Sequence, residues 1–247
     1  MRYKAVFIDI DDTVLDYVPC CREAFDAAMA ALPAERSVSC QRGGLFELFF
    51  SISGRLFSEA KHGLHTIAEV MELYPAEFIE RSGLAQGLSA EEQAALTETF
   101  KHAFRAAWGE THTLVPQAKE TLDTLRRRGY PLFAASNSFG HLQRNRLKRA
   151  GVLTCFEDTF ISMDVGYDKP DIRFFNHALN AVSKRLSQAL APTEVLMVGD
   201  SMTTDILGAQ AAGWDTCFFN RRPAEAPAEM PADFEIFDLT ELLNILP

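Results

Sequence analysis

The stretch that most constrains this chain is Ala5-Val6-Phe7-Ile8-Asp9-Ile10-Asp11-Asp12-Thr13-Val14-Leu15. Four consecutive apolar residues, Ala5 to Ile8, read as a buried strand, and they run straight into Asp9, Asp11 and Asp12. Aspartate is depleted in strands. A buried carboxylate is costly unless it is paired, hydrogen-bonded or bound to a metal. In open α/β sheets ligands bind beyond the carboxyl ends of the strands. Asp9 and Asp11 are therefore expected to face a site that holds a divalent cation; the plainer alternative is that the three acids begin a polar turn.

The remaining rhythm divides the chain in two. Residues 17–107 carry helical signals without clear strands. Arg22–Leu32 is Ala-rich and precedes Pro33. Leu45, Phe49, Ile52 and Leu56 form one helical stripe within 45–60, with Phe46, Phe50 and Phe57 alongside. Thr66–Arg81 is expected to bend or break near Pro75. Ser89-Ala90-Glu91-Glu92 has the form of a capping box opening a helix towards Trp108. The Phe-rich periodicity reads as the core of a bundle, one face of which could roof a pocket, and Arg55, Lys61, His62 and His65 are candidates for substrate contact.

From Pro116 helices and strands alternate. Strands are expected at 131–135, 159–162, 194–198, 216–219 and around Ile236, with helices at 116–128, 141–150, 170–182, 203–212 and from Thr240, and a Pro-rich loop over 221–233. Alternation of this kind implies an α/β fold with a doubly wound parallel sheet. The first strand must join it, so residues 1–16 and 108–247 form a discontinuous core and 17–107 an inserted helical domain.

Composition narrows the partners. A net charge of −10 argues against a nucleic acid or an anionic membrane as partner. No secretory or membrane-length apolar segment is evident. Five cysteines (Cys20, Cys21, Cys40, Cys155, Cys217), odd in number and without a CxxC pair, are expected to be reduced apolar fillers. The chain reads as cytoplasmic, acting as a monomer or homodimer.

Polar residues at the strand ends carry the chemistry: Asp9/Asp11, Ser136/Asn137, Lys169, and Asp200 with Asp205. In a doubly wound sheet they converge on one edge. Carboxylates to hold a cation, a hydroxyl and an amide to bind phosphate oxygens, and a lysine to balance charge are the parts of a phosphoryl-transfer site.

Asp9-Ile10-Asp11-Asp12-Thr13 resembles the DxDxT first motif of the haloacid dehalogenase (HAD) superfamily. Ser136-Asn137, Lys169-Pro170-Asp171 and Gly199–Asp205 resemble its second, third and fourth motifs. Their order and spacing fit and span most of the core, which is then the Rossmann-like HAD core; the helical insertion is similar to the C1-type cap. The resemblance implies Asp9 as nucleophile and Asp11 as general acid, then base, which requires Asp9 ionised and Asp11 protonated at the first step. It implies Mg²⁺ held by Asp9, the Asp11 backbone carbonyl and Asp200, with Asp205 a ligand through water or an orienter. An acid in a helix's first turn is also favoured by the dipole alone. Ser136, Asn137 and Lys169 would bind the phosphoryl group, and Lys169 would neutralise Asp9. Asp12 is taken as a turn residue, and Thr13 as a local hydrogen-bonder.

Dehalogenases lack an aspartate at position 11, so its presence points to a phosphoester. Gly166–Phe175, Val195–Ser201, Thr204–Ala209 and Gly213–Asn220 resemble the bacterial pyrimidine 5′-nucleotidase branch. That implies a small nucleoside monophosphate (UMP, dUMP or dTMP) as substrate. Ser136 stands where Thr is commoner, and Ser138 where the branch usually has Gly. A phosphoglycolate or sugar-phosphate phosphatase is the alternative, a phosphomutase the third reading. Outside the enzymes, phospho-accepting receivers share an Asp, a Ser/Thr and a Lys at strand ends, but are about half this length and lack the insertion.

Overall fold

The computed structural model describes residues 1–39, 44–61, 63–222 and 232–247. They form two compact units, one of Met1–Tyr17 with His112–Pro247, the other of Val18–Thr111.

The first unit is built on a parallel sheet of β1 (Ala5–Ile8), β2 (Leu132–Ser136), β3 (Asp158–Ile161), β4 (Val195–Gly199), β5 (Asp215–Phe219) and β6 (Phe234–Ile236), in the order β3-β2-β1-β4-β5-β6 among the described residues. Each expected strand is present, with ends shifted by a residue or two. β1 lies at the centre, with Ile8 opposite Ala134 on one side and Val198 on the other. Successive side chains alternate faces. Val6 and Ile8 pack with Leu132, Ala134, Leu196, Val198 and Leu147, while Ala5 and Phe7 pack with Phe133, Ala135, Met197, Phe175 and Trp214. Both faces are buried, which is why these strands read as continuous apolar runs. The chain leaves β1 first to the β2 side and later to the β4 side. The strand order therefore reverses beside β1, the place where α/β sheets open a crevice at their carboxyl ends.

In the second unit α1 (Tyr17–Ala30), α2 (Ala34–Ser39), α3 (Leu45–Lys61), α4 (Ile67–Arg81) and α5 (Ala90–Trp108) enclose an aromatic core. Phe49 lies 5.1 Å from Phe25, 5.5 Å from Phe78 and 5.1 Å from Phe104, ring centre to ring centre. The Phe stripe is thus core, as its period implied. Capping boxes at Thr66 and Ser89 open α4 and α5. One expectation changes here, and one element is additional. A short helix, α2, follows Pro33. And α4 runs unbroken through Pro75. Proline cannot donate to the carbonyl four residues back, and that carbonyl, on Met71, accepts instead from the Arg105 guanidinium at 3.1 Å.

The first unit's flanks include α6 (Ala118–Arg127), α7 (Gly140–Arg149), α8 (Ser162–Val165) and α9 (Ile172–Arg185). The short α8 was not expected. Helix α9 starts two residues later than Pro170, because the Asp171 carboxylate caps it by accepting from the Arg173 N–H. The segment expected as one helix over 203–212 opens instead as a π-helical turn, Met202–Leu207, before α10 (Gly208–Ala211). The chain ends in α11 (Leu242–Ile245). Cys20, Cys21, Cys155 and Cys217 are buried, consistent with apolar fillers; Cys40 and most of the 221–233 loop lie outside the described residues. Among those residues no helix is long and apolar enough to cross a membrane.

Candidate active site

The first turn after β1 sets the site. The Asp9 N–H donates to Val198 O at 2.9 Å, continuing the β1–β4 ladder and fixing Asp9 at the crevice. Beyond it Val14 N–H and Leu15 N–H both donate to Ile10 O, closing a tight turn. Asp12 takes a left-handed backbone there (φ 59°), which aspartate tolerates better than most residues, so it is the turn residue expected. Thr13 differs from expectation: its hydroxyl is buried without a hydrogen-bond partner among the described residues, and main-chain bonds hold the turn instead.

Lys169 is 3 % exposed and its ammonium donates three times, to Asp9 Oδ1 at 2.7 Å, Asp205 Oδ1 at 2.6 Å and Ala135 O at 2.9 Å. An ammonium has three donors, so every one is engaged and the buried charge is compensated. The other Asp205 oxygen accepts from Ser201 N–H at 3.1 Å. Gly199 makes this possible, since a Cβ there would fall 2.3 Å from Asp205 Oδ2. The π-helical turn belongs to the same arrangement. Asp205 N–H and Ile206 N–H share the Ser201 carbonyl, and the widened turn carries Asp205 back beside the strand end. π-Bulges are found mostly at functional sites.

Asp9, Asp200 and Asp205 each bring one carboxylate oxygen to within 4.8 Å of the others. Three carboxylates thus gather beside one ammonium, and hard oxygen donors of this kind suit Mg²⁺. Burial pushes the Asp9 carboxyl up to about 7, against the lowering pull of Lys169, with Asp205 and Asp11 adding to the rise. Burial alone would lower Lys169, but the Asp205 and Asp9 carboxylates more than reverse it and hold the ammonium charged.

Ser136 ends β2, buried. Asn137 follows, and its side chain is engaged with the Lys169 backbone in both directions: Nδ2 donates to Lys169 O at 2.7 Å and Oδ1 accepts from Lys169 N–H at 2.8 Å. A phosphate contact at Asn137 would therefore fall to its main-chain N–H. Ser138 is not in the left-handed region that would demand glycine.

Asp11 has partners that the sequence reading missed. Its Oδ1 accepts from Arg146 at 2.7 Å and its Oδ2 from Gln143 Nε2 at 2.6 Å. Both partners lie on α7 and both are buried. The available signal was their spacing: residues three apart share a helix face, and this pair falls on the face that carries Leu147 into the core.

The candidates outside the first unit divide. Arg55 is ion-paired to Glu59 at 2.7 Å and Glu77 at 2.5 Å, and His65 lies 3.5 Å from Glu59. His62 and the side chain of Lys61 lie outside the described residues.

Comparisons with known proteins bear on the family and the fold. The family model described as haloacid dehalogenase-like hydrolase matches residues 3–213. Pyrimidine 5′-nucleotidase YjjG of Escherichia coli (strain K12) is 35% identical over 248 residues, covering 100% of this chain and 99% of that protein. The crystal structure of the HAD-hydrolase YfnB from Bacillus subtilis, bound to magnesium, matches with a TM-score of 0.83 at 27% identity, covering 100% of this chain and 99% of that one. Phosphoserine phosphatase of Thermus thermophilus is 30% identical over 257 residues, covering 97% of each chain. With the strand order, the Asp9–Lys169–Asp205 constellation and a family match across most of its length, the chain belongs to the haloacid dehalogenase-like hydrolases.

Proposed function

We propose that this chain is a Mg²⁺-dependent phosphomonoester hydrolase that works through an aspartyl-phosphate on Asp9, with the pyrimidine nucleoside monophosphates UMP, dUMP and dTMP as substrates. The observation that carries the reading is the meeting of Asp9, Asp200, Asp205 and Lys169 at one sheet edge, with a second carboxylate, Asp11, held two residues on.

In the first step an Asp9 carboxylate oxygen bonds to phosphorus while the bond from phosphorus to the leaving oxygen breaks, and Asp11 gives that oxygen its proton. In the second step water adds to the phosphorus of the aspartyl-phosphate, Asp11 takes the water's proton, and phosphate leaves with Asp9 restored. Lys169 offsets the charge of Asp9 and of the transferring group. The Ser136 hydroxyl and the main-chain N–H groups of residues 10, 11 and 137 bind phosphoryl oxygens. Asp9 and Asp200 would hold Mg²⁺, with the Asp11 carbonyl, and Asp205 would hold it through water or by orienting the other ligands. The cation supplies the positive charge that keeps Asp9 ionised and polarises the phosphoryl group.

The substrate class rests on the motif resemblance and on the name of the Escherichia coli relative. The Thermus relative, named for phosphoserine, favours a second reading. That reading is a phosphatase for another small monoester, such as phosphoglycolate or a sugar phosphate. Either substrate is small and diffusible and suits a cytoplasmic monomer or homodimer. The test is phosphate release, with Mg²⁺, from UMP, dUMP, dTMP, purine nucleotides, phosphoglycolate, phosphoserine and sugar phosphates. Selective turnover of the three pyrimidine nucleotides is expected. Preference for phosphoserine, phosphoglycolate or a sugar phosphate would replace the substrate assignment and leave the mechanism. Turnover of none of them by folded, Mg²⁺-supplied protein would remove the hydrolase reading.

A further inference from the structure

Arg146 is the largest fully buried side chain among the described residues. Burying a guanidinium is costly unless it is paired and hydrogen-bonded, and here the pairing is with the catalytic turn. One terminal nitrogen, Nη1, donates to Asp11 Oδ1 at 2.7 Å and to Gln143 Oε1 at 2.8 Å. Gln143 Nε2 in turn donates to Asp11 Oδ2 at 2.6 Å and to Ser136 Oγ at 3.0 Å. The orientation of the Gln143 amide follows from chemistry: arginine has no acceptor, so the amide oxygen must face Arg146 and the amide nitrogen must face Asp11 and Ser136.

Two consequences follow for the groups that this network grips. Both Asp11 oxygens are held, and each keeps a further lone pair, so the carboxyl can carry a proton only in restricted directions. Ser136 Oγ accepts from Gln143, so its own O–H is turned away, free to donate to a phosphoryl oxygen. One amide thus fixes the group assigned to leaving-group protonation and the group assigned to phosphoryl binding.

We propose that Arg146 and Gln143 are positioning residues for the phosphatase reaction, holding the Asp11 carboxyl and the Ser136 hydroxyl in a single frame on α7. The inference rests on Asp11 acting as general acid. The network costs a buried cation that a Leu or Met could replace in a helix of purely structural purpose. A frame for an acid, unlike a brace for the fold, matters most where the leaving group needs a proton.

The test compares phenyl phosphate, a poorer leaving group, with 4-nitrophenyl phosphate, a better one, on the Mg²⁺-supplied full chain. General acid catalysis contributes about 10²–10⁴-fold, and misplacing the acid forfeits part of that. Arg146→Met and Gln143→Leu are each expected to lower kcat about tenfold more for phenyl than for 4-nitrophenyl phosphate. Arg146→Lys is expected to recover part of that difference. A crystal structure of Arg146→Met is expected to show the Asp11 carboxylate displaced. Thermal unfolding establishes that each variant is folded; should Arg146→Met fail to fold, Gln143→Leu and Arg146→Lys decide by the same ratio. Equal losses on both esters in folded variants, beside an unequal loss in Asp11→Asn, would discard the positioning role and leave the acid in place. An equal loss in Asp11→Asn itself would remove the acid assignment, and this inference with it.

Discussion

Asp9 occupies a position where burial works against the charge that the proposed nucleophile needs. Its carboxyl is pushed up to about 7, and only Lys169 within the described site opposes the rise. Asn in its place would keep the shape and remove both the charge and the proposed nucleophile. Asp9→Asn is therefore expected to abolish phosphate release while leaving unfolding cooperative, with a Tm at alkaline pH no lower than that of the metal-free parent. Activity well above background in that variant would move the nucleophile elsewhere. Asp9, Asp11 and Asp200 were legible in the primary sequence as acids at the ends of apolar runs, and Lys169 and Asp205 only through the motif resemblance, since a lysine before proline is usually a surface charge and an acid in a helix's first turn is favoured by the dipole alone. Arg146 and Gln143 were not legible. In a helix reading Gly-His-Leu-Gln-Arg-Asn-Arg-Leu-Lys-Arg they stand among other polar residues, and only packing distinguishes the buried pair from the solvated ones.

At the scale of elements, the site depends on close approaches that leave no room for side chains. Gly199 is the sharpest case. The methyl of Gly199→Ala would collide with the Asp205 carboxylate, whose partners are Lys169 and the Ser201 N–H. Overpacking of this kind costs on the order of 1–3 kcal/mol. The variant is expected to show a lowered Tm and weakened Mg²⁺ binding by calorimetry; unchanged metal affinity would mean that Asp205 does not help hold the cation. The fourth motif was readable as residues, but its π-helical turn was not. An α-helix and a π-turn over six residues differ by the register of one carbonyl, here that of Ser201, and tertiary contacts to Asp205 decide it. Pro75 teaches the same lesson in reverse. Its local preference is to break α4, and the Arg105 guanidinium removes the penalty by satisfying Met71 O.

For the molecule as a whole, the raised Asp9 pKa links stability to pH and to metal. The ordinary value of 3.8 describes the unfolded chain, and about 7 the folded, metal-free one. The folded state thus holds this proton more tightly. Its contribution to stability is complete below the ordinary carboxylate range and is lost as the pH rises through about 7. Mg²⁺ held by Asp9 as proposed would need the ionised form and would have to displace the proton at lower pH, so its affinity is expected to climb by up to about tenfold per pH unit until the pH passes about 7. Thermal unfolding with and without Mg²⁺ from about pH 5 to about pH 8 measures both effects. The expected Mg²⁺-induced rise in Tm is larger at the alkaline end, and Asp9→Asn should flatten it. A Mg²⁺ shift independent of pH would place the proton-linked ligand elsewhere.

The primary sequence determined the α/β alternation, the central buried strand, the helical insertion and the acids that converge at one edge. These are set by hydrophobic period and by residue types that are costly anywhere else. Tertiary structure alone decided which hydrogen-bond partner each of those acids takes. Lys169 sits between Asp9 and Asp205 rather than on Asp9 alone, Asn137 supports the Lys169 loop with its side chain, and Asp11 is gripped from α7. Partners of that kind are brought together by strand order and helix rotation, across separations of 32 to 160 residues, and no local pattern in the chain encodes them.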